Sequence, residues 1–164
     1  MSTPKGYTLT QIALHWGVFL LVALQFIFGD NIGHAWRSLV REGTFEPNAL
    51  VFGHIAGGIV ILLLVVWRMA IKARRGAPAL PAHEPAWMKA TANGTHLALY
   101  ALLILMAISG GMAWFGGQGW AAEVHDEFLK PAIILLVVLH VLGALYQQFV
   151  LKSDVMTRMG RPEA

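Results

Sequence analysis

The chain has no cysteine. Its absence excludes disulfides, iron–sulfur clusters and zinc sites built on thiolates, and it leaves no thiolate that could ligate or attach a metal cofactor. Charged residues are also scarce, at 13% of 164 residues, whereas a soluble domain has about 25%. Since 57% of the residues are hydrophobic, the polar surface is too small to cover a globule in water. The composition therefore indicates a membrane protein.

Long apolar stretches are abundant. A membrane-spanning helix needs roughly 20 consecutive, mostly apolar residues. Four stretches of this kind occur, at about residues 12–28, 51–71, 95–115 and 128–151. The predicted fold class is therefore all-α, an integral membrane four-helix bundle that forms a single domain over residues 1–164.

Lysine and arginine are unevenly divided between the predicted loops, and in membrane proteins they concentrate on the cytoplasmic side. The loop 29–50 has only Arg37 and Arg41. The opposite side receives Lys5, Lys72, Arg74, Arg75, Lys89, Lys152, Arg158 and Arg161. Both termini are therefore predicted to be cytoplasmic, and the loops 29–50 and 116–127 to face the periplasm. The net charge of +3 then reflects loop charge and does not indicate a nucleic-acid partner.

Histidine is the most informative residue type, with seven in the chain. The five that fall in or at the ends of spans are His15, His54, His96, His125 and His140. One histidine hydrogen-bonded to a neighbouring helix is common, but five ionisable side chains in so apolar a setting indicate function. His34 and His83 lie in predicted loops and are interpreted as solvated side chains.

The depth of each histidine follows from the alternating direction of the spans. His54 and His125 lie toward the periplasm, whereas His15, His96 and His140 lie toward the cytoplasm. The fifteen residues from His125 to His140 correspond to roughly 22 Å of helix. His54 can therefore meet His125, and His140 can meet either His15 or His96. Neutral imidazoles that meet in pairs are what a bis-histidine haem iron needs.

The spacing on the fourth span is imperfect for two ligands on one face. At about 100° per residue, fifteen residues leave an offset of roughly 60°. Pro131 lies between His125 and His140 and can kink the helix, and a π-bulge would absorb one residue and reduce the offset.

Small residues beside a ligand leave room for a flat macrocycle. His54 and His140 each have small residues three and four positions later. These are Gly57, Gly58, Gly143 and Ala144. His15 and His96 have bulkier residues at the same offsets, so this criterion does not choose between them. Zinc fits less well, because no carboxylate lies in the apolar interior to complete a site.

Four segments together resemble the bacterial cytochrome b561 family, which is related to the cytochrome b subunits of hydrogenases and formate dehydrogenases. They are IALHWGVFLLV, FGHIAGGIVILLLVVWRMAIKARR, THLALYALLILMAISGG and EVHDEFLKPAIILLVVLHVLGALYQQFVLKSDVMTRM. The resemblance covers nearly the whole chain. It implies two haems b in a bacterial inner-membrane protein, with His15 paired with His140 and His54 with His125 as axial ligands. The family's usual interval on the fourth span is one residue shorter.

Two further positions match the family. His96 is similar to a third-span histidine that is usually not an iron ligand, and we place it near the cytoplasmic haem or a quinone. Arg68 is similar to an arginine near the cytoplasmic end of the second span, and its charge suits a haem propionate. A snorkelling interfacial arginine is the other interpretation of Arg68.

The resemblance implies electron transfer between a periplasmic-side donor and the membrane quinone pool. Some members of the family oxidise superoxide and reduce ubiquinone, and others conduct electrons for a periplasmic redox partner. The sequence does not separate these activities and assigns no catalytic residue. The alternative from another class is a non-redox membrane anchor or small transporter subunit whose histidines bind nothing. The predicted partners are membrane lipids, quinone, and superoxide or a redox protein, without nucleic acid.

Overall fold

The computed structural model describes residues 4, 6–79 and 84–163, and the regular structure within these ranges is entirely helical. Lys5 and His83, which were assigned to loops from the sequence, lie outside the described residues. Four segments are long and apolar enough to cross a membrane: α1 (Leu9–Phe28), α3 (Ala49–Arg75), α4 (Ala86–Gly116) and Gly119–Phe149. The predicted all-α membrane fold with four spans is confirmed.

The loop predicted at residues 29–50 contains a helix, α2 (Asp30–Glu42). It ends at Gly43, whose φ of 71° is the left-handed conformation that glycine adopts without strain. Ala35 is buried on one face, whereas Arg37 and Arg41 are exposed on the other. The loop prediction was wrong here, because a search for long, uniformly apolar stretches does not detect a short amphipathic helix.

The fourth spanning segment begins at Gly119 rather than near Phe128, so the predicted loop 116–127 is also mostly helical. The segment consists of α5 (Gly119–Glu123), a π-helix (Val124–Leu129) and α6 (Lys130–Phe149). Its acidic residues lie exposed on the helix surface. The sequence predicted a loop at these acidic residues, because charge alone does not distinguish the exposed face of a helix from a turn. These acidic residues are Glu123, Asp126 and Glu127.

The π-helix absorbs an extra residue in the fourth segment. The Lys130 N–H donates to the carbonyl of His125, five residues earlier. Pro131, in the first turn of α6, has no N–H with which to make the ordinary bond four residues back. The π-bulge considered from the sequence is therefore present, and it accommodates the interval between His125 and His140.

The spanning helices pack in chain order, with α1 against α3, α3 against α4, and α4 against α6. Val18, Ile61 and Val65 form a buried cluster between the first three of these helices. Many other apolar side chains point outward, including Leu63 (63% exposed) and Phe149 (71% exposed). An apolar surface this extensive is stable when lipid covers it.

Both termini lie at one end of the bundle, called here the terminal end. The Glu163 N–H donates to the Tyr7 carbonyl at 2.9 Å, and the carboxylate of Glu163 lies 3.4 Å from Arg75 at the end of α3. A short helix, α7 (Val155–Gly160), precedes this contact. The opposite end carries α2, α5 and the π-helix, and is called the α2 end. The sequence predicts that the terminal end is cytoplasmic.

Candidate functional site: two histidine pairs

His54 of α3 and His125 of the π-helix face each other near the α2 end. Their ring centroids are 6.3 Å apart and their planes are inclined by 62°. An imidazole nitrogen lies about 2 Å from a transition metal it ligates, and the ring centre about 1 Å farther. Two imidazoles on opposite faces of one iron therefore have centroids about 6 Å apart. The separation of His54 and His125 fits this arrangement.

The protein holds the ring of His125 in one orientation. Its Nδ1 lies 3.0 Å from the carbonyl oxygen of Met106 and 3.2 Å from the hydroxyl of Ser109, both on α4. Because a carbonyl only accepts hydrogen bonds, Nδ1 carries the proton and donates it to Met106. Nε2 is then the unprotonated nitrogen, which is the form that binds a metal.

His54 is held through its backbone instead. The Gln25 side chain of α1 donates from Nε2 to the His54 carbonyl at 2.9 Å. This amide fits because the next turn has Gly57, where a Cβ would clash with the same nitrogen. The Nδ1 atom of His54 is buried and has no hydrogen-bond partner in the described part of the chain. The polypeptide therefore fixes the position of His54 through its backbone carbonyl and not through Nδ1 of its ring.

A cavity of about 440 Å³ lies between these two histidines and extends beneath α2. Its walls come from α1, α2, α3, α4 and the fourth segment, and include His54, His125 and Gly110. Cofactor pockets have volumes of roughly 300–1,000 Å³ and mainly apolar walls. In size and lining, the cavity fits a haem that the two imidazoles would ligate.

Three histidines meet at the terminal end. The centroids of His15 and His140 are 6.1 Å apart, and those of His96 and His140 are 5.3 Å apart. The separation of His15 and His140 fits the distance of about 6 Å expected for two imidazoles that ligate one iron. The separation of His96 and His140 is shorter than this distance. No group of three metal-binding side chains in the described ranges is arranged to hold an ion directly.

Arg68 lies beside this cluster and is partly buried. Its Nε donates to the Tyr100 hydroxyl at 3.0 Å, and its Nη1 donates to the Gln11 carbonyl at 3.3 Å. These bonds hold the guanidinium at the bundle, whereas a snorkelling arginine would extend it into solvent. Tyr100 lies one turn after His96 on α4, and Gln11 lies one turn before His15 on α1, so both partners of Arg68 adjoin the cluster. Arg68 is thus placed where a carboxylate of a group bound at the terminal end could reach it.

Residues 6–162 match the prokaryotic cytochrome b561 family along almost the whole chain. The chain belongs to this family. Cytochrome b562 of Cereibacter sphaeroides is 34% identical over 99% of both chains. The protein named probable superoxide oxidase CybB of Yersinia pestis is 26% identical over 94% of this chain and 96% of its own. Cytochrome b561 homolog 1 of Escherichia coli (strain K12) is 22% identical over 93% and 96%, respectively.

Membership in the cytochrome b561 family, together with four spanning helices, makes the chain a multi-pass protein of the bacterial inner membrane that binds haem b and takes part in electron transport. The resemblance noted in the sequence is confirmed. The family and the geometry agree on chemistry, since both histidine pairs offer the neutral imidazoles that haem iron binds.

The residues that support the paired histidines were not identified from the sequence. Gln25, Met106, Ser109 and Gly110 act through contacts between helices that are distant in the chain. The adjacent Ser109 and Gly110 in the apolar third span were the one available signal in the sequence. Small and hydroxylated residues within a span indicate that another helix approaches closely there. The carbonyl of Met106 has no signal, since every residue has one.

Gly110→Ala tests how tightly the His125 ring is held. A Cβ at this position would lie 3.1 Å from Cε1 and 3.2 Å from Nδ1 of His125, so the ring must shift by a few tenths of an ångström. Overpacking of this kind costs about 1–3 kcal/mol. We expect an altered spectrum and faster haem loss at the α2 end, measured by absorption and by transfer to a haem acceptor.

Gly94→Ala is the matched control, because Gly94 is exposed on the same helix and its Cβ would meet nothing within 4 Å. We expect the spectrum and haem retention of this variant to equal those of the wild type. Equal behaviour of Gly110→Ala and Gly94→Ala would show that the ring of His125 is free to move.

Proposed function

We propose that this protein is a di-haem cytochrome b that carries electrons between a donor at the α2 end and the membrane quinone pool. His54 and His125 would hold one haem, and His15 and His140 would hold the other. The observation that carries the proposal is the pair of centroid separations, 6.3 Å and 6.1 Å, at opposite ends of the bundle. When bound, haem b supplies a one-electron iron couple.

Residues at the two ends have different roles in this proposal. At the α2 end, the Met106 carbonyl and Gln25 position the two histidines. At the terminal end, Arg68 holds a propionate of the second haem, and His96 stands beside that haem or a quinone. The buried cluster of Val18, Ile61 and Val65 lies about midway along α1 and α3, between the two ends.

Superoxide is the donor that we favour, because one relative is named a probable superoxide oxidase. Two superoxide anions lose one electron each and leave as dioxygen, while one quinone takes both electrons and two protons to become a quinol. Arg37 and Arg41 on α2 attract a small anion, although acidic residues share this end. The acidic residues are Asp30, Glu42, Glu46, Glu123, Asp126 and Glu127. Lipid phosphates are the other partners that these arginines would bind.

The test mixes oxidised, quinone-loaded protein with superoxide and follows haem reduction and quinol formation. We expect rapid reduction that slows as ionic strength rises, because salt screens the attraction of an anion. Arg41→Gln is expected to slow it by a few-fold at low salt. Prior addition of superoxide dismutase is the control and should abolish the reaction.

Two other outcomes would redirect the proposal. Reduction by a quinol or a partner protein, without any by superoxide, would leave an electron conduit, which the names of the other cytochrome relatives equally allow. Purified protein without a Soret band that sharpens on dithionite reduction would favour the non-redox anchor or transporter subunit. The first result would rule out superoxide as the electron donor, and the second would rule out haem binding.

A further inference from the structure

The cavity between His54 and His125 is apolar along the spans and polar where it opens beneath α2. Besides His54 and His125, its titratable and charged lining residues are Asp30, His34, Arg37, Glu123, Asp126, Glu127 and Lys130. A haem has the same division, since two propionate carboxylates extend from one edge of an apolar macrocycle. The carboxylates therefore belong at the polar mouth, where they need a cation or hydrogen-bond donors.

The two cations at this mouth are not equivalent. Lys130 is already paired, because its Nζ lies 2.7 Å from a carboxylate oxygen of Asp126, one turn earlier in the fourth segment. Arg37 makes no ion pair with an acidic residue of the described ranges. Its Nη2 donates to Nδ1 of His34 at 2.9 Å, one turn earlier on α2. Arg37 is thus held in place by a neutral acceptor and keeps its charge for another partner.

The guanidinium of Arg37 also lies close to the backbone of α2. Nη1 of Arg37 lies near Gly33, where a Cβ would come within 3.5 Å of it. The side chain therefore folds back along the helix toward the cavity, which His34, Arg37 and Gly33 all line. Arg41, one turn farther on, is outside this lining.

We propose that Arg37 binds a propionate carboxylate of the haem held by His54 and His125, and that His34 aims the guanidinium. The inference rests on the proposed function, because it requires a haem at that pair. A guanidinium presents parallel donors that match the two oxygens of a carboxylate. The acidic lining residues repel a propionate, so Arg37 is the favourable contact at the mouth. Helix α2 is then a part of the haem site.

Arg37→Gln and Arg41→Gln are compared in haem-loaded protein without superoxide or quinone. Loss of a charge-assisted hydrogen bond, worth about 1.5–3 kcal/mol, should speed haem loss from the α2 end by about tenfold or more. The midpoint potential of this haem should fall, because an uncompensated propionate favours ferric iron. The propionate bending band in the resonance Raman spectrum should shift. Arg41→Gln should leave all three near wild type.

Two more variants keep the test decisive. His34→Ala removes the acceptor that aims Arg37 and should move the same readouts in the same direction, but less. Arg37→Lys keeps the charge without the forked donors, so its Raman band should shift while its potential stays nearer wild type. It replaces Arg37→Gln if that variant retains no haem.

The results separate this inference from the proposed function. If Arg37→Gln and Arg41→Gln change the potential equally and leave the Raman band unmoved, Arg37 contributes only to the general field at the α2 end, and the inference is overturned. If wild-type protein binds no haem at His54 and His125, the proposed function itself fails. Normal haem content with an unchanged Arg37→Gln protein overturns the inference alone.

Discussion

Replacement of His125 by alanine is expected to reduce the haem content from two per chain to one. His125 faces His54 at 6.3 Å, far from the cluster at the terminal end, so only the haem at the α2 end loses a ligand. The pyridine haemochrome assay measures the stoichiometry. Potentiometric titration identifies the remaining haem, which should keep its wild-type potential and a low-spin spectrum.

His140→Ala is the reciprocal variant and should retain the haem that His125→Ala loses. The two histidines lie on one continuous helical segment, so a comparison of both variants also controls for damage to that segment. Loss of both haems from either variant, in protein that remains folded by circular dichroism, would contradict separate sites. One haem per chain in the wild type would contradict them as well.

His15→Ala is expected to remove the haem at the terminal end, whereas His96→Ala is expected to retain it. Both rings approach His140, at 6.1 Å and 5.3 Å respectively. An iron between two imidazoles needs centroids about 6 Å apart, and His15 meets this requirement more closely. Haem content should therefore be one per chain in His15→Ala and two in His96→Ala.

Each of these variants controls for the other, because both lose an imidazole from the same cluster. The reaction of His96→Ala with quinone is a separate measurement, since His96 is proposed to lie near the haem or a quinone. The opposite pattern of haem retention would assign the ligand role to His96. In that case the shorter separation in this structure would have to lengthen when iron binds.

Much of the fold follows from the sequence because the bilayer simplifies the problem. Four apolar stretches can satisfy their backbone hydrogen bonds in lipid only as helices, and this alone determines the four-span architecture. Helices that alternate in direction then place His54 with His125 at one depth, and His140 with its partners at the other. The choice of His15 came from the family resemblance and not from the spacing.

Features of the two ends required the tertiary structure. α2 lacks the long apolar stretch that marks a span, and its stability comes from packing of one face against α3. The fourth span begins earlier than its apolar residues suggest, since the exposed face of its first turns is acidic. Hydropathy averages over both faces of a helix and therefore misses such turns.

The sequence by itself determined that this is a four-span membrane protein with histidines at two depths, because hydrophobic length and helix direction are local properties of the chain. Only the tertiary structure decided how those histidines are held. The bond from His125 to Met106 and that from Gln25 to His54 join helices far apart in sequence. The distance from His140 to His15, which favours His15 over His96 as its partner, is likewise set between helices far apart in sequence. Such contacts depend on how the helices rotate and pack against one another, which a pattern along one helix does not specify.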